Sequence, residues 1–307
     1  MTRRSLVLVN PVSGGGTTGR RWPELRRALD SVLEHWDHEF TLAPGDAIRL
    51  SDQATAEGYD ELVVVGGDGT LNEAVNGLMV HPAELRPSLA PVRFGTGGDF
   101  TRHLGLPTRL PDAVRHLRDG PVMRVDAGHL VYSNEEQLDS SRYFLNIASF
   151  GLSGLVDAKV NASKKRLRSA SFSWAMLKSL LEYRAPEVRI SVDDEEVYVG
   201  KVVTAAVANG SYFGGGMCFA RGARLDDGRF QVVIQKKAGI GEFVRIRDLY
   251  SGELHRWSSV QVAVGSVVYA EPKDRTKDVL LDVDGEQLGR LPVRFQIVPG
   301  ALRVRMG

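Results

Sequence analysis

The stretch that decides the fold is VVVGGDGTLNEAV, residues 63–75. Three β-branched residues run into three glycines and an aspartate, and apolar residues at helical spacing follow. This pattern is typical of a buried parallel strand that turns sharply into a helix. Two similar glycine turns lie in the same half of the chain, NPVSGGGTTG at 10–19 and GTGGD at 95–99. The sequence therefore predicts a parallel α/β sheet with three glycine turns at one edge.

The apolar pattern changes near residue 124, from alternating strands and helices to strands alone. In the first part, strands are predicted at 5–10, 39–42, 61–65 and 91–94, and helices at 22–33, 48–56 and 71–78. In the second part, strands are predicted at 124–131, 143–149, 187–192, 196–209, 230–234, 260–270, 279–283 and 293–298, with one helix at 162–183. Turn residues separate many of these later strands. We therefore predict an α/β domain over 1–125 and an antiparallel β-sandwich over 126–291.

Composition excludes several classes of protein. The 307 residues are 43% hydrophobic, enough for two cores, and 39 basic residues nearly balance 38 acidic ones. No nucleic-acid partner is expected from such a balance. A single cysteine, Cys218, allows no intrachain disulfide, and no apolar run approaches the ~20 residues of a membrane span. These features favour a cytoplasmic protein.

The glycine turns predict a phosphate site. Glycine lets the backbone approach a phosphate closely, and the following helix offers unpaired N–H groups. Three such turns at one sheet edge fit a triphosphate, although glycines also serve simply as tight turns. The Walker pattern GxxxxGK[ST] is absent. Gly14-x-Gly16-x-x-Gly19 formally matches the dinucleotide fingerprint, but it begins too far beyond its strand to count.

The motifs in this order resemble those of the diacylglycerol kinase catalytic domain, a family related to sphingosine and ceramide kinases and more distantly to NAD kinases. The resemblance is carried by NPVSGGG, GGDGTLNEAVNGL, FGTGGDFTRHLGLP, NIASFGLSG (146–154), NGSYFGGGMCFARGARLDDG (209–228) and LDVDGEQLGRLPVRFQIVPGALRVR (281–305). It implies an NAD-kinase-like nucleotide domain to which the segment of about 292–307 returns, and a β-sandwich that takes the lipid.

The resemblance also implies a reaction, the transfer of the γ-phosphate of ATP, with Mg²⁺, to a hydroxyl of a membrane lipid. Diacylglycerol, ceramide and a sphingoid base are the candidate acceptors. By resemblance, ATP contacts Asn10, Pro11, Ser13, Gly14, Thr41, Gly66, Gly67, Gly69, Thr70, Leu71, Asn72 and Thr96. An NAD kinase and a non-catalytic nucleotide-binding regulator are the alternatives, but the retained carboxylates disfavour the regulator.

Carboxylates are the residues that such a transfer needs for metal and proton. By resemblance, Asp68 serves the nucleotide and its metal, and Asp126 reaches Mg²⁺ through water. A structural Mg²⁺ would lie at Asp227 with the carbonyl oxygens of Arg224 and Arg229. From residue type alone, Asp126 can also be read as a residue that forms a turn at the end of a strand, and Asp227-Gly228 is more often simply a hairpin turn.

Asp284-Gly285-Glu286 is both a predicted hairpin turn and the candidate catalytic acid pair. By resemblance, Glu286 accepts the proton of the lipid hydroxyl, with Asp284 as rival or helper. The base must be ionised and free of an ion pair, and the nearest cation along the sequence is Arg290. We therefore expect Glu286 to face the cleft between the domains, toward the GGDGT turn.

The sequence departs from the family pattern at two positions, and it also contains one basic segment. Gly98 replaces the asparagine of GTGND, and Arg221 replaces the proline of APxA. Residues 162–184 carry six basic side chains and an apolar stripe, which fits either a packed helix with a solvated face or a membrane-surface helix. We expect peripheral contact with the inner face of the membrane through this segment. The sequence leaves a homodimer open.

Overall fold

The computed structural model describes residues 3–94, 98–133, 139–152, 185–236 and 246–307. Its first half alternates strands and helices: β1 (Arg4–Val9), α1 (Ser13–Arg20), α2 (Trp22–Asp30), β2 (His35–Phe40), α3 (Asp46–Ala56), β3 (Glu61–Val65), α4 (Asp68–Leu78), β4 (Ser88–Val92), α5 (Asp99–His103) and α6 (Asp112–Asp119).

The second half is built mainly of strands. They are β5 (Val122–Ser133), β6 (Asp139–Phe144), β7 (Ile147–Gly151), β8 (Glu187–Val192), β9 (Glu195–Ala208), β10 (Tyr212–Phe213), β11 (Met217–Cys218), β12 (Phe230–Lys236), β13 (Val260–Gly265), β14 (Val267–Pro272), β15 (Leu280–Val283) and β16 (Glu286–Arg305). A short helix α7 (Ile246–Ser251) and a 3₁₀ turn (Leu254–Arg256) lie between β12 and β13. The predicted helix at 162–183 lies outside the described residues.

The first domain is a parallel sheet between two helical layers. Its strands follow the order β16-β4-β3-β1-β2, and all neighbours in this order are parallel. Successive side chains of a strand point to opposite faces. Leu62 and Val64 of β3 therefore join the core formed with α3 and α4, while Val63 and Val65 join the core formed with α2 and α6. Because both faces are covered, β3 is an uninterrupted run of buried residues.

The second domain closes on itself, which goes beyond the predicted sandwich. Hydrogen bonds link β9 to β7, β7 to β15, β15 to β16, β16 to β14, β14 to β8 and β8 back to β9. Phe144, Phe150, Ile190, Leu281 and Phe295 fill the core that these strands form. Closure leaves the six strands of the circuit without a free edge among themselves. The predicted class, α/β plus antiparallel β-sandwich, is confirmed.

β16 connects the two domains. Its first part pairs with β15 and β14, and near its end Val304 pairs in parallel with Leu89 of β4. Its last residue, Arg305, lies 2.5 Å (Nε to Oε1) from Glu61, which is wholly buried at the start of β3. Arg3 contacts the other carboxylate oxygen at 3.2 Å. A charged pair therefore anchors the C-terminal segment at the end of the sheet opposite the glycine turns.

Two strands that were predicted as single are each broken in the structure. The segment 143–149 divides after Phe144, and the segment 260–270 divides at Ser266. At each break, backbone N–H groups turn away from the sheet toward an aspartate in a left-handed turn, Asp284 (φ 50°) or Asp193 (φ 49°). The single-strand predictions were wrong because both acceptors lie far away in sequence.

Strand limits also differ at β2 and β16. β2 was predicted at 39–42 but lies at His35–Phe40, where Trp36, His38 and Phe40 alternate toward Trp22 of α2. β16 was predicted at 293–298 but has 20 residues. Its register shifts against β5 where Pro292 and Pro299-Gly300 lie, so residues that usually end strands form irregularities within this one.

His116 of α6 gives a prediction for stability. Only 5% of the residue is exposed, and burial lowers the pKa of His116 from its ordinary value of 6.5 to about 4. The unfolded chain therefore binds a proton below pH 6.5 that the folded chain binds only below about pH 4. The free energy of unfolding should fall across this window, by ~2 kcal/mol at pH 5 relative to pH 7.

Urea unfolding at pH 7 and pH 5 measures this effect in the wild type and in His116→Gln, which keeps a donor for the carbonyl oxygen of Pro91. The variant should lose that part of the pH dependence. His35→Gln, at an exposed histidine of β2, is the matched control and should leave it intact. An equal fall in the wild type and in His116→Gln would refute the assignment.

Candidate functional site

The carboxyl ends of the parallel strands carry the first group of predicted residues. Asn10 follows β1 and donates its N–H to the carbonyl oxygen of Val65 at 2.9 Å. Thr41 follows β2 and donates to the carbonyl oxygen of Val9 at 2.9 Å. Asn10 Nδ2 donates to Thr70 Oγ1 at 2.8 Å, across to the turn after β3. The structure thus places Asn10, Thr41 and Thr70 along one sheet edge.

The turn Gly66–Thr70, called here the glycine turn, begins α4. Gly66 is required sterically, because a Cβ there would lie 2.6 Å from Thr70 Cβ. Thr70 and Leu71 are buried, and the Thr70 hydroxyl is already bonded to Asn10. The first N–H groups of a helix have no partner within it and favour an anion. The glycine turn is therefore a suitable phosphate site.

The first glycine-rich turn combines short helical pieces with three left-handed glycines. Ser13–Arg20 forms α1, interrupted by Gly14, Gly15 and Gly16 with φ of 60°, 66° and 79°. Three successive left-handed residues at this position require glycine. Ser13 Oγ donates to the carbonyl oxygen of Asn10 at 2.8 Å, and the carbonyl oxygen of Pro11 accepts a hydrogen bond from the N–H of Gly19 at 3.0 Å. These bonds fold α1 back over the end of β1.

Asp68 is bound by the N-terminal end of α5. Its carboxylate accepts hydrogen bonds from the N–H groups of Asp99 (2.8 Å) and Phe100 (3.2 Å). Burial raises the pKa of Asp68, while these N–H groups act in the opposite direction. Asp99 in turn accepts a hydrogen bond at 2.8 Å from the N–H of Gly215, in the β10–β11 turn of the second domain. Asp68 is thus connected to both domains.

Asp284 accepts four hydrogen bonds. Its carboxylate receives Asn72 Nδ2 at 3.0 Å and the N–H groups of Leu145, Asn146 and Ile147 at 3.0, 3.1 and 3.0 Å. Burial raises the pKa of Asp284 to about 6, against the effect of these donors. Because its oxygens are already taken, Asp284 is better suited to hold the domains together than to accept a substrate proton.

Glu286 lies over the glycine turn, as the sequence predicts. Its Oε1 is 3.1 Å from the position that a Cβ on Gly69 would occupy, and its side chain is 36% exposed. Burial raises the pKa of the Glu286 carboxyl group. The expectation of a carboxylate free of ion pairs was wrong, because Arg142 Nη2 lies 3.4 Å from Oε2. Arg290, the nearest cation along the sequence, instead contacts Asp278 at 2.7 Å.

Asn72 is enclosed between the domains rather than open to a ligand. It is 2% exposed, and its Nδ2 donates to the carbonyl oxygen of Tyr143 (2.9 Å) as well as to Asp284. Its Oδ1 accepts hydrogen bonds from Arg142 Nε (3.0 Å) and Asn76 Nδ2 (3.2 Å). The protein thus uses the whole side chain, and a nucleotide role for Asn72 stays a prediction.

The predicted metal residues cluster at another place, between the turn 224–229 and β16. Asp126, 2% exposed, accepts hydrogen bonds from the N–H groups of Gly228 (2.7 Å) and Gly300 (2.8 Å). Asp227 accepts one from the N–H of Arg229 at 3.1 Å, and Arg224 Nε contacts Asp226 at 3.3 Å. The structure thus brings Asp126 next to the Asp227 turn.

The carboxylates suit Mg²⁺ in chemical type. Within the described residues, no group of three or more histidine, cysteine, aspartate or glutamate side chains converges on one point. Mg²⁺, however, is commonly held by one or two carboxylates together with substrate phosphates and water. Asp68, within the glycine turn, supplies one such carboxylate. Magnesium binding at Asp126, Asp227 and the carbonyl oxygens of Arg224 and Arg229 stays a prediction.

Some predicted positions are altered or lie elsewhere. Thr96 and the basic segment 162–184 lie outside the described residues. Gly98 has φ 108°, and a Cβ there would lie 2.4 Å from Thr101 Oγ1, so this turn does not accept the asparagine of the family. Arg221, which stands where the family has proline, places its Nη1 2.6 Å from Glu253 Oε1. Arg142 was missed, and a lone arginine on a strand gives no sequence signal for its role.

Fold and site together define a two-domain kinase. Residues 4–130 match the diacylglycerol kinase catalytic domain, and residues 146–306 match the YegS C-terminal NAD kinase beta sandwich-like domain. A diacylglycerol kinase of Staphylococcus carnosus is 32% identical over 96% of this chain and 92% of its own length. The chain belongs to the diacylglycerol kinase family, and it is a phosphotransferase with an alcohol group as acceptor.

Solved structures show the same fold. A diacylglycerol kinase of Bacillus anthracis superposes with a TM-score of 0.74 at 23% identity, covering 99% of this chain and 97% of that one. The yeast NADH kinase complexed with NADH superposes with a TM-score of 0.51 at 11% identity, covering 99% and 82%. None of the described helices is long and apolar enough to cross a membrane.

Proposed function

We propose that this protein is an ATP- and Mg²⁺-dependent lipid kinase that phosphorylates the hydroxyl of a membrane lipid such as diacylglycerol. The observation that carries the proposal is the position of Glu286, which lies over Gly69 in the first turn of α4. A carboxylate from one domain thus faces the predicted phosphate site of the other. Phosphoryl transfer needs this juxtaposition, because acceptor and phosphate must meet where a base can take the proton.

Each group at the site has a separate role in the proposed transfer. N–H groups of the glycine turn and the turn after β1 would hold the phosphates of ATP. Asp68 would hold Mg²⁺, which when bound neutralises phosphate charge. Glu286 accepts the proton as the lipid oxygen bonds to phosphorus. Asp284 keeps the β6–β7 turn against α4 through its four hydrogen bonds. The lipid oxygen bonds to the γ-phosphorus while the bond between that phosphorus and the β-phosphate oxygen breaks, and ADP leaves.

A lipid acceptor also requires access to a bilayer. We propose that the basic residues of 162–184 bring the protein to the inner face of the membrane, since anionic lipid attracts each Lys or Arg near the surface by about 1 kcal/mol. The support for this part is compositional, since the segment lies outside the described residues.

The test is ADP release by the purified protein with ATP and Mg²⁺, in the presence of diacylglycerol, ceramide, NAD or no acceptor. Release that depends on a lipid and is abolished by EDTA is expected. Release with NAD alone would favour the NAD kinase alternative, and no release above the acceptor-free rate would contradict catalysis. Presenting the lipid in anionic or neutral vesicles tests the membrane part, because the anionic vesicles should give the faster rate.

A further inference from the structure

Arg142 is a charged side chain of the site to which the proposed reaction assigns no task. It lies on β6, and its side chain is 18% exposed. One end of its guanidinium group donates from Nε to Asn72 Oδ1 at 3.0 Å, and the other places Nη2 at 3.4 Å from Glu286 Oε2. Arg142 therefore joins α4 of the first domain to the beginning of β16.

The Asn72 end of this connection is rigid. Asn72 is buried and also bonds Asp284 and the carbonyl oxygen of Tyr143, while Asn76 one helical turn later exchanges hydrogen bonds with the backbone of Tyr143. Arg142 thus starts from a fixed point on the helix that begins with the glycine turn. An arginine can keep such a two-point geometry because its guanidinium group is planar.

The Glu286 end, by contrast, has few other constraints. Glu286 follows Gly285, the exposed residue of this hairpin turn, and its side chain is 36% exposed. Glu73 on α4 repels the charge of Glu286, and the charge of Glu286 in turn helps to raise the pKa of Tyr132 on β5. Among the described residues, Arg142 is the cation that attracts this carboxylate.

We propose that Arg142 is the positioning residue for the proton acceptor: it holds Glu286 over Gly69, in fixed register with the glycine turn. The inference rests on the proposed function of Glu286. In this role Arg142 touches neither substrate nor metal and acts only through Glu286. It fixes where the carboxylate lies and favours its ionised form, both of which a base requires.

The attraction between Arg142 and Glu286 predicts how kcat should depend on pH. Burial raises the pKa of Glu286, and Arg142 works in the opposite direction. Without Arg142 the pKa of Glu286 should rise further. Because the base acts only when deprotonated, the acid limb of the kcat profile should then move to higher pH.

The experiment compares Arg142→Gln and Arg142→Lys with the wild type, measuring kcat and the KM for ATP from pH 5 to pH 9. Arg142→Gln should lower kcat by ~10-fold or more, as expected for a misplaced catalytic group, with KM for ATP within about twofold and the acid limb at higher pH. In Arg142→Lys the acid limb of the kcat profile should return toward its pH in the wild type, but kcat itself should stay below the wild-type value. Arg189→Gln, on β8, removes an arginine that contacts Glu196 and Glu271 and is the matched control.

Two results would overturn the inference. One is an unchanged kcat and profile in Arg142→Gln. The other is a lower kcat with an unmoved acid limb, which would make Arg142 merely structural. If the wild type phosphorylates no lipid, the proposed function fails instead. The ¹³C carboxyl resonance of Glu286, assigned with Glu286→Gln, then still decides, since its titration should move to higher pH in Arg142→Gln and an unmoved titration would refute the contact.

Discussion

Glu286→Gln is expected to lower kcat by ~10²-fold or more while leaving the KM for ATP nearly unchanged, because it removes the base but keeps shape and hydrogen bonding. Initial rates of lipid phosphorylation measure this. Glu195→Gln, at an exposed glutamate in the β8–β9 hairpin, is the control and should be silent. Thermal unfolding of Glu286→Gln should resemble that of the wild type, since the contact with Arg142 is long, at 3.4 Å, and partly exposed, and glutamine keeps an oxygen for it.

Comparing Asp284→Asn with Glu286→Gln shows which of the two carboxylates is the base. In Asp284→Asn an NH₂ group replaces one of the two oxygens that now accept hydrogen bonds. Donors that bonded this oxygen would face another donor, so the β6–β7 turn should be held less firmly against α4. We therefore expect a lower melting temperature in Asp284→Asn than in Glu286→Gln. If Glu286→Gln keeps most of its kcat while Asp284→Asn is well folded and inactive, Asp284 is the base.

Asp68→Asn is expected to reduce kcat/KM by ~10²-fold or more with the fold intact. The substitution can keep an oxygen for the N–H of Asp99, the shorter of the two hydrogen bonds, at the expense of the longer one from Phe100, and it removes the negative charge that would hold the metal. Lipid phosphorylation over a series of Mg²⁺ concentrations, with circular dichroism for the fold, measures it. Asp119→Asn, at an exposed position in α6, is the control. Near-wild-type turnover in Asp68→Asn would exclude Asp68 from the nucleotide site.

The parts of the fold that the sequence predicts are those with a local pattern. β3 and β8 were predicted at their observed limits because continuous or alternating apolar residues mark them. The breaks at Leu145–Asn146 and at Ser266 depend on Asp284 and Asp193, which lie 139 and 73 residues away along the chain. No local pattern predicts such a contact.

The site shows the same division. Glu286 facing the glycine turn was predictable, since both lie in recognisable motifs. Arg142 was not, because its role exists only once β6 packs against α4 and β16 begins beside it. For Asn72 the motif predicted a nucleotide contact, whereas the fold uses the side chain to join the domains. A motif therefore marks where chemistry can occur, and tertiary packing decides which side chains remain available for it.

The position of β16 has a consequence for the chain during its synthesis. Its last residues pair with β4, which ends at residue 92, although about 200 residues separate them along the chain. At translation rates of about 5–20 residues per second, the β4 edge therefore remains unpaired for roughly 10 to 40 s after β4 has been made. A nascent first domain exposes an apolar strand edge for that time, with a corresponding risk of association with other chains. The ribosome must deliver the chain through residue 304 or so before the nucleotide domain can complete its own sheet.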